Sequence, residues 1–138
     1  MIALTLYALA AFSIPDEPLA GQLRAAIWDD LQRNAMIGNG NRLAASWYDA
    51  GHYESPAPRL HIQALDCTTT RAGQRCSFNL WREGGPRWVL GEVATDRLSC
   101  RAQFVQQSGE WSVLHRPPPG AGHSRTDMRC RVIPGTRP

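Results

Sequence analysis

Two histidines and an aspartate near the C-terminus have the side-chain types that acid–base or nucleophilic chemistry needs. His115 ends a predicted strand, His123 lies in the loop after three consecutive prolines, and Asp127 follows in the same loop. Together with Ser124, they could supply a base, an orienting carboxylate and a nucleophile. The chain has no Gly-x-Ser-x-Gly nucleophile elbow, and such residues often fall close together by chance. The pattern favours a structural interpretation, in which His115 ends a strand and serine and aspartate bond the turn.

A second group, two tryptophans and two arginines, is typical of a binding surface. Trp81 and Arg82 precede the Gly84-Gly85 turn, and Arg87 and Trp88 follow it. An exposed turn would place two indoles and two guanidiniums at one end of a sheet, where they could bind a sugar, a peptide or a polyanion. The alternative is that one indole caps the core and the arginine stems cover it. This group is the main candidate binding site.

No residue spacing in the chain is typical of a metal or cofactor site. The histidines form neither a His-x-His nor a His-Glu-x-x-His pattern, and no Cys-x-x-Cys pair is present. The stretch 38–41 follows a predicted helix, whereas a dinucleotide-binding loop opens a helix after a strand. We therefore expect no metal and no cofactor. The sequence favours a non-catalytic, inhibitor-like or accessory binding module over a small hydrolase.

The four cysteines predict disulfides and an oxidising compartment. Cys67, Cys76, Cys100 and Cys130 make an even number in a small chain. Cys67 and Cys76 flank a short connection between two predicted strands. Pairing these two with each other, and Cys100 with Cys130, is the preferred connectivity. The two other pairings stay open, because a β-bulge would change which face a cysteine occupies.

The N-terminus indicates the same compartment. Residues 1–13 are a short apolar run with two small-x-small sites of the kind that signal peptidase accepts, although no positive charge precedes them. We interpret residues 1–13 as a signal peptide, the alternative being an apolar segment packed into the fold, and residues 14–138 as a single domain. A periplasmic or secreted protein follows from this interpretation. No stretch is apolar for long enough to predict a stable membrane span.

The basic residues are concentrated in the C-terminal part of the chain. All fifteen are arginine; residues 1–58 hold three against six acidic residues, and residues 59–138 hold twelve against six. A positive half can attract an anionic partner, which makes an anion-binding surface one alternative function. The arginines are scattered singly along alternating strands, however, which is also typical of a solvated sheet face. We expect a protein or glycan partner in the cell envelope and no nucleic-acid partner.

Hydrophobic periodicity predicts an α+β fold that would position these groups. Apolar residues recur at helical spacing from Leu19 to Leu31, which predicts an amphipathic helix ending near residue 35. Residues 42–50 could form a shorter helix that stops at Gly51. We expect the helices to pack on a disulfide-stapled antiparallel sheet of four to five strands. Alternating apolar residues predict strands over 59–67, 74–82, 88–93, 98–106, 111–115 and 129–133.

Overall fold

Two helices pack on one face of an antiparallel sheet, which confirms the predicted α+β class. The computed structural model describes residues 14–52, 58–118, 120, 122 and 124–133. Helix α1 covers Glu17–Ile37 and helix α2 covers Arg42–His52. The predicted signal peptide, residues 1–13, lies outside the described residues. Within the described ranges, no helix is long and apolar enough to cross a membrane.

Helix α1 begins and ends at residues suited to capping. The Asp16 carboxylate accepts a hydrogen bond from the Leu19 backbone N–H at 3.2 Å, and Glu17 places a negative charge in the first turn. Gly38 ends the helix with a φ of 76°, a left-handed conformation that glycine adopts without strain. The predicted apolar stripe is confirmed by the apolar residues that α1 buries: Ala20, Leu23, Ala26, Ile27 and Leu31.

Helix α2 runs past the residue at which it was predicted to stop. Gly51 lies inside the helix, so its predicted role as a C-terminal stop is wrong. A Cβ on Gly51 would lie 3.2 Å from side-chain carbons of both Arg82 and Leu60. The glycine is therefore explained by this close approach of two side chains to the helix backbone, and not by a turn.

The main sheet has five strands, in agreement with the predicted four to five. Its strands pair antiparallel in the order β1-β2-β5-β6, and β9 also pairs with β5. β9 lies beside the first half of β5 and β6 beside the second half. The strands of the described residues are β1 (Leu60–Thr69), β2 (Gly73–Arg82), β3 (Arg87–Val89), β4 (Glu92–Ala94), β5 (Arg97–Gln107), β6 (Glu110–Val113), β7 (His115–Arg116), β8 (Arg125–Thr126) and β9 (Arg129–Val132).

Both preferred disulfides are confirmed. Cys67 lies opposite Cys76 in the β1–β2 register, and Cys100 lies opposite Cys130 in the β5–β9 register. Three of the four cysteines are buried, and Cys130 packs against them. The disulfides therefore tie neighbouring strands together on the inner face of the sheet, where the helices pack.

A bulge in β1 changes the predicted alternation. Alternation along the first half of the strand predicts Ala64 on the inner face, and this prediction is wrong. The register with β2 shifts by one residue at this point, Ala64 has a φ of 56° and faces solvent, and Leu65 is buried instead. The extra residue returns Cys67 to the inner face, where it can meet Cys76.

Two short hairpins lie beside the main sheet. The single strand predicted over 88–93 is wrong, because Leu90 and Gly91 form a turn between β3 and β4. Gly91 has a φ of 83°, which suits a turn and not a strand interior. The second hairpin pairs β7 with β8 and places His115 opposite Thr126. The two hairpins carry Trp88 and His115, two of the candidate residues predicted from the sequence.

Candidate functional site

The predicted tryptophan–arginine group divides into a buried part and an exposed part. Arg82 is fully buried, and its guanidinium donates to the backbone oxygens of Trp47 at 2.8 Å, Ala94 at 3.1 Å and Gly85 at 3.4 Å. These carbonyls belong to α2, to β4 and to the turn before β3. A buried guanidinium is tolerated because it has such acceptors. Arg82 therefore holds the base of the β3–β4 hairpin and is not available to a ligand.

Trp81 faces outward from the sheet but is already in contact with its neighbours. The His61 ring stacks on it at 4.9 Å between centroids, and the Arg97 guanidinium carbon lies 5.1 Å from the indole centroid. Both neighbours are its register partners on β1 and β5. His61 Nε2 also lies 2.6 Å from Glu83 Oε2. Trp81 thus belongs to a packed cross-strand row, which stabilises the sheet.

Arg87 is half-buried beside the turn that precedes β3. A Cβ built on Gly84 would come within 2.6 Å of Arg87 Nη2, so the guanidinium lies directly against the turn backbone. Gly84 has a φ of 99°, so any other residue there would be strained, and the Arg87 guanidinium would have to move to admit its Cβ. Arg87 is therefore a flanking residue of the hairpin and not its most exposed part.

The β3–β4 hairpin presents three large apolar side chains to solvent. Trp88 is 75% exposed, Leu90 is 99% exposed and Val93 is 57% exposed. Trp88 and Val93 are register partners, so they share one side of the hairpin next to the turn that holds Leu90. Adjacent exposed apolar side chains mark interaction surfaces more often than single scattered ones. We call Trp88, Leu90 and Val93 the apolar tip.

Leu90 combines full exposure with backbone strain. Its φ of 51° lies in the left-handed region, which costs a residue with a Cβ about 1–2 kcal/mol. Two-residue hairpin turns favour Asn-Gly or Asp-Gly, whereas this turn has Leu90-Gly91. The leucine side chain recovers no burial energy in return. Strain and exposure at one residue, without compensation in the fold, make Leu90 a candidate contact residue.

A second cluster joins α1 to the β7–β8 hairpin through His115. Its Nε2 lies 2.5 Å from Asp30 Oδ1, and its Nδ1 lies 3.1 Å from Ser124 Oγ. Asp30 is buried, and its carboxylate also accepts from Thr126 Oγ1 at 2.7 Å and from Asn39 Nδ2 at 3.2 Å. A buried carboxylate with several partners is held in one orientation. We call Asp30, His115 and Ser124 the His115 relay, because they connect the core to the surface.

The carboxylate beside His115 is not the one that the sequence suggested. Asp127 Oδ1 accepts from Arg116 at 3.1 Å, and Oδ2 accepts from the Gln103 backbone N–H at 2.9 Å. Oδ2 therefore serves the edge of β5 between β6 and β9, and Oδ1 pairs with Arg116 of β7. His123 lies outside the described residues, so its predicted role stays a prediction. In the described part of the chain, no three His, Cys, Asp or Glu side chains are grouped as metal ligands.

A cavity of about 240 Å³ opens beside the His115 relay, between α1 and the strands that follow β5. It adjoins a larger groove of about 630 Å³ between α1 and β6, because Asp29, Arg33 and Ser112 line both. Arg33 donates to Asp29 at 3.1 Å at this junction. The volume of the larger groove alone is within the range of small-molecule sites. The relay therefore faces a concavity and not a flat surface.

Comparison with known proteins assigns no family to this chain. No protein-family model, no curated protein and no solved structure matches it. The chain's own geometry, at the apolar tip and at the His115 relay, is therefore the basis for a functional proposal.

Sequence reasoning missed Leu90, Val93 and Asp30. The pair Leu90-Gly91 could have indicated the turn, because glycine between two short apolar runs suggests one. Leucine is an unfavourable residue at the first position of such a turn. Asp30 also left a signal, since it falls on the buried stripe of α1 three residues after Ile27. A carboxylate on a buried face needs a partner. That partner, His115, is 85 residues away, and periodicity cannot identify it.

Proposed function

We propose that this protein is an exported binding module, periplasmic or secreted, that docks its apolar tip into an apolar cleft of a protein in the cell envelope. The observation that carries the proposal is the exposed, left-handed Leu90 between Trp88 and Val93. The two disulfides support an oxidising compartment, because such bonds persist mainly outside the reducing cytosol.

The base of the hairpin is rigid enough to present the tip. Ala94 is buried, and its carbonyl accepts from the buried Arg82 guanidinium. The Asp96 carbonyl accepts from Trp47 Nε1 at 3.0 Å and from the Arg82 backbone N–H at 2.9 Å. These bonds hold the C-terminal end of the hairpin against α2 and β2, and the Gly85 carbonyl, which also accepts from Arg82, holds the N-terminal end. A preordered tip loses little conformational entropy on binding, so more of its contact energy appears as affinity.

The chemistry of the tip favours a protein partner over a glycan. Leucine and valine offer no hydrogen bonds to sugar hydroxyls, and burying them requires an apolar cleft. Tryptophan is among the side chains that dominate the energy of protein–protein interfaces. The charged side chains of Arg87 and Glu92 lie next to the tip in sequence and would form the polar rim of such an interface.

The decisive experiment places a photo-crosslinking amino acid at Val93 in the chain as exported by its own host. We expect one envelope protein to be crosslinked, and the additional Trp88→Ala substitution to remove the product. With the purified partner, Trp88→Ala should weaken the complex by about tenfold or more. Met36→Ala is the matched control, because Met36 is an 82% exposed apolar residue on α1. It should leave affinity unchanged.

Three outcomes contradict the proposal. Equal partner affinity of the wild type and Trp88→Ala would exclude the tip as the docking surface. Tip-dependent binding to lipid vesicles or to a glycan, without a protein partner, would exclude the proposed partner class. Four free thiols in the chain isolated from its host, measured as intact mass before and after alkylation, would exclude export.

A second candidate function is ester or amide hydrolysis, favoured by the His115 relay. A neutral His115 that donates its Nε2–H to Asp30 turns the Nδ1 lone pair toward the Ser124 hydroxyl, as a general base requires. Attack of Ser124 Oγ on a substrate carbonyl would pass the hydroxyl proton to Nδ1 and then to the leaving group. Water would hydrolyse the acyl-enzyme by the same proton path. The adjoining cavity could admit the acyl group.

Labelling of the whole chain with a fluorophosphonate tests this candidate, together with hydrolysis of p-nitrophenyl acetate. Ser124→Ala should abolish labelling, and His115→Ala should lower hydrolysis by about 100-fold or more. Ser112→Ala, which alters the same cavity, should leave both intact. His123→Ala tests the role predicted for that histidine. An unlabelled Ser124 in a folded wild-type chain contradicts hydrolysis.

A further inference from the structure

The outer face of the main sheet carries arginines from three adjacent strands. Both helices contribute their buried side chains to the core on the inner face. Alternation directs Arg75 of β2, Arg101 of β5, and Arg129 and Arg131 of β9 away from that core, and all four are exposed. The arginines are thus presented on the side of the sheet opposite to the helices.

The arrangement of these arginines is unfavourable for the fold alone. Arg101 lies directly opposite Arg129 in the β5–β9 register, and like charges in such positions destabilise a sheet. Among the residues that the structure describes, no ion pair joins Arg75, Arg101, Arg129 or Arg131 to a carboxylate. None of the four guanidiniums is therefore paired directly with a carboxylate of the described residues, although Asp66 lies in the same cross-strand row, two strands from Arg101.

Three of these arginines surround a concave region of about 420 Å³. The register places Ser77 beside Arg101, and Ser99 beside Arg131, so two hydroxyls face the same region. Arg129 also donates to the Thr126 carbonyl at 3.1 Å, which restrains its guanidinium. The lining side chains that carry polar groups are Ser77, Ser99, Arg101, Arg129 and Arg131. Guanidiniums and hydroxyls offer many donors and net positive charge, which selects an oxyanion.

We propose that this outer-face site binds a phosphoryl group. Adjacent strands lie about 4.8 Å apart, so Arg101 and Arg129 can contact the same group from neighbouring strands. Guanidiniums pair bidentately with phosphate oxygens, and a tetrahedral phosphoryl group has enough oxygens to accept from the Ser77 and Ser99 hydroxyls as well. Inorganic phosphate, a sugar phosphate and a phospholipid headgroup share this chemistry. The site uses none of the residues of the apolar tip or the His115 relay.

Calorimetric titration of the full chain with inorganic phosphate, at constant ionic strength, tests the site. We expect saturable binding that Arg101→Gln weakens by about tenfold or more, because a charge-assisted hydrogen bond is lost. Arg101→Gln should also raise the thermal midpoint without phosphate by about 1–4 °C, because it removes the like-charge pair. Arg24→Gln, on α1, removes the same charge from the other layer and should leave the affinity within about twofold.

Vesicles of phosphatidylglycerol, with phosphatidylcholine as the neutral control, distinguish the sources of the phosphoryl group. Arg101-dependent binding to the anionic vesicles identifies a headgroup, and phosphate binding without vesicle binding identifies a soluble ligand; either supports the site. No saturable phosphate binding together with no vesicle binding overturns it. Equal losses in Arg101→Gln and Arg24→Gln also overturn it, because binding would then depend on net charge alone.

Discussion

Two hairpins of this chain, β1–β2 and β3–β4, are built in opposite ways. The first has two ten-residue strands joined by the Cys67–Cys76 disulfide, and it buries Phe78 and Leu80 in the core. The second has two three-residue strands, and its apolar tip faces solvent. The first hairpin thus contributes to the core, and the second carries the proposed docking surface. Substitutions that change stability and substitutions that change binding should therefore fall mainly in different parts of the chain.

Arg82 is the residue at which the two hairpins meet, and its substitution should have the largest effect. Arg82→Met keeps the length of the side chain but leaves three backbone carbonyls without their donor, so the free energy of unfolding should fall by about 3–5 kcal/mol. Urea unfolding measures this change. Arg75→Met, at an exposed position of the same strand, should stay within about 0.5 kcal/mol. Similar losses in both variants would mean that the buried bonds add little.

The disulfide of the first hairpin should matter next. Replacing Cys67 and Cys76 by serine should lower the free energy of unfolding by about 2.7 kcal/mol, because a short loop is released in the unfolded chain. The same replacement of Cys100 and Cys130 releases a longer loop and should cost about 3.7 kcal/mol. Denaturant midpoints of the two double variants show which disulfide contributes more to the free energy of unfolding. The reverse order would show that strain or packing, and not loop entropy, determines the contribution.

The elements of the first hairpin could be predicted from the sequence, and those of the second could not. Alternation over ten residues identifies β1 and β2, and it places the cysteines near each other across their turn. β3 and β4 are too short for alternation to be distinguished from a single weak strand. The bulge at Ala64 was also invisible, since it depends on the fit between β1 and β2.

The site residues were predictable only where their environment was local. Trp88 was selected because it flanks the Gly84-Gly85 turn, and its side chain is exposed. Arg82 looked equivalent in sequence, yet the packing of α2 and β4 around it makes it a buried residue. The pairing of His115 with Asp30 depends on how α1 lies against β7–β8, which no local pattern records.

Trp88, on the second hairpin, should affect binding and not stability. Trp88→Ala removes a side chain that is 75% exposed, so the free energy of unfolding should change by no more than about 0.5 kcal/mol. Affinity for the crosslinked partner should nonetheless fall by about 1.5–2 kcal/mol. Urea unfolding and titration with the purified partner measure the two changes on the same preparation. A loss of 2 kcal/mol in folding would place Trp88 among the residues that support the core.

Leu90 gives the smallest expected effect and the sharpest contrast. Leu90→Asn should raise the free energy of unfolding by about 1 kcal/mol, because asparagine tolerates the left-handed conformation that strains leucine. The same change removes the most exposed apolar side chain of the tip and should weaken docking. Gly91→Ala is the matched opposite. It should lower the free energy of unfolding, because a φ of 83° disfavours a Cβ, and it leaves the side chains of the apolar tip unchanged. If the leucine is kept only for binding, replacing it with a residue that tolerates the turn must raise the free energy of unfolding. A less stable Leu90→Asn would therefore show that the leucine stabilises the fold.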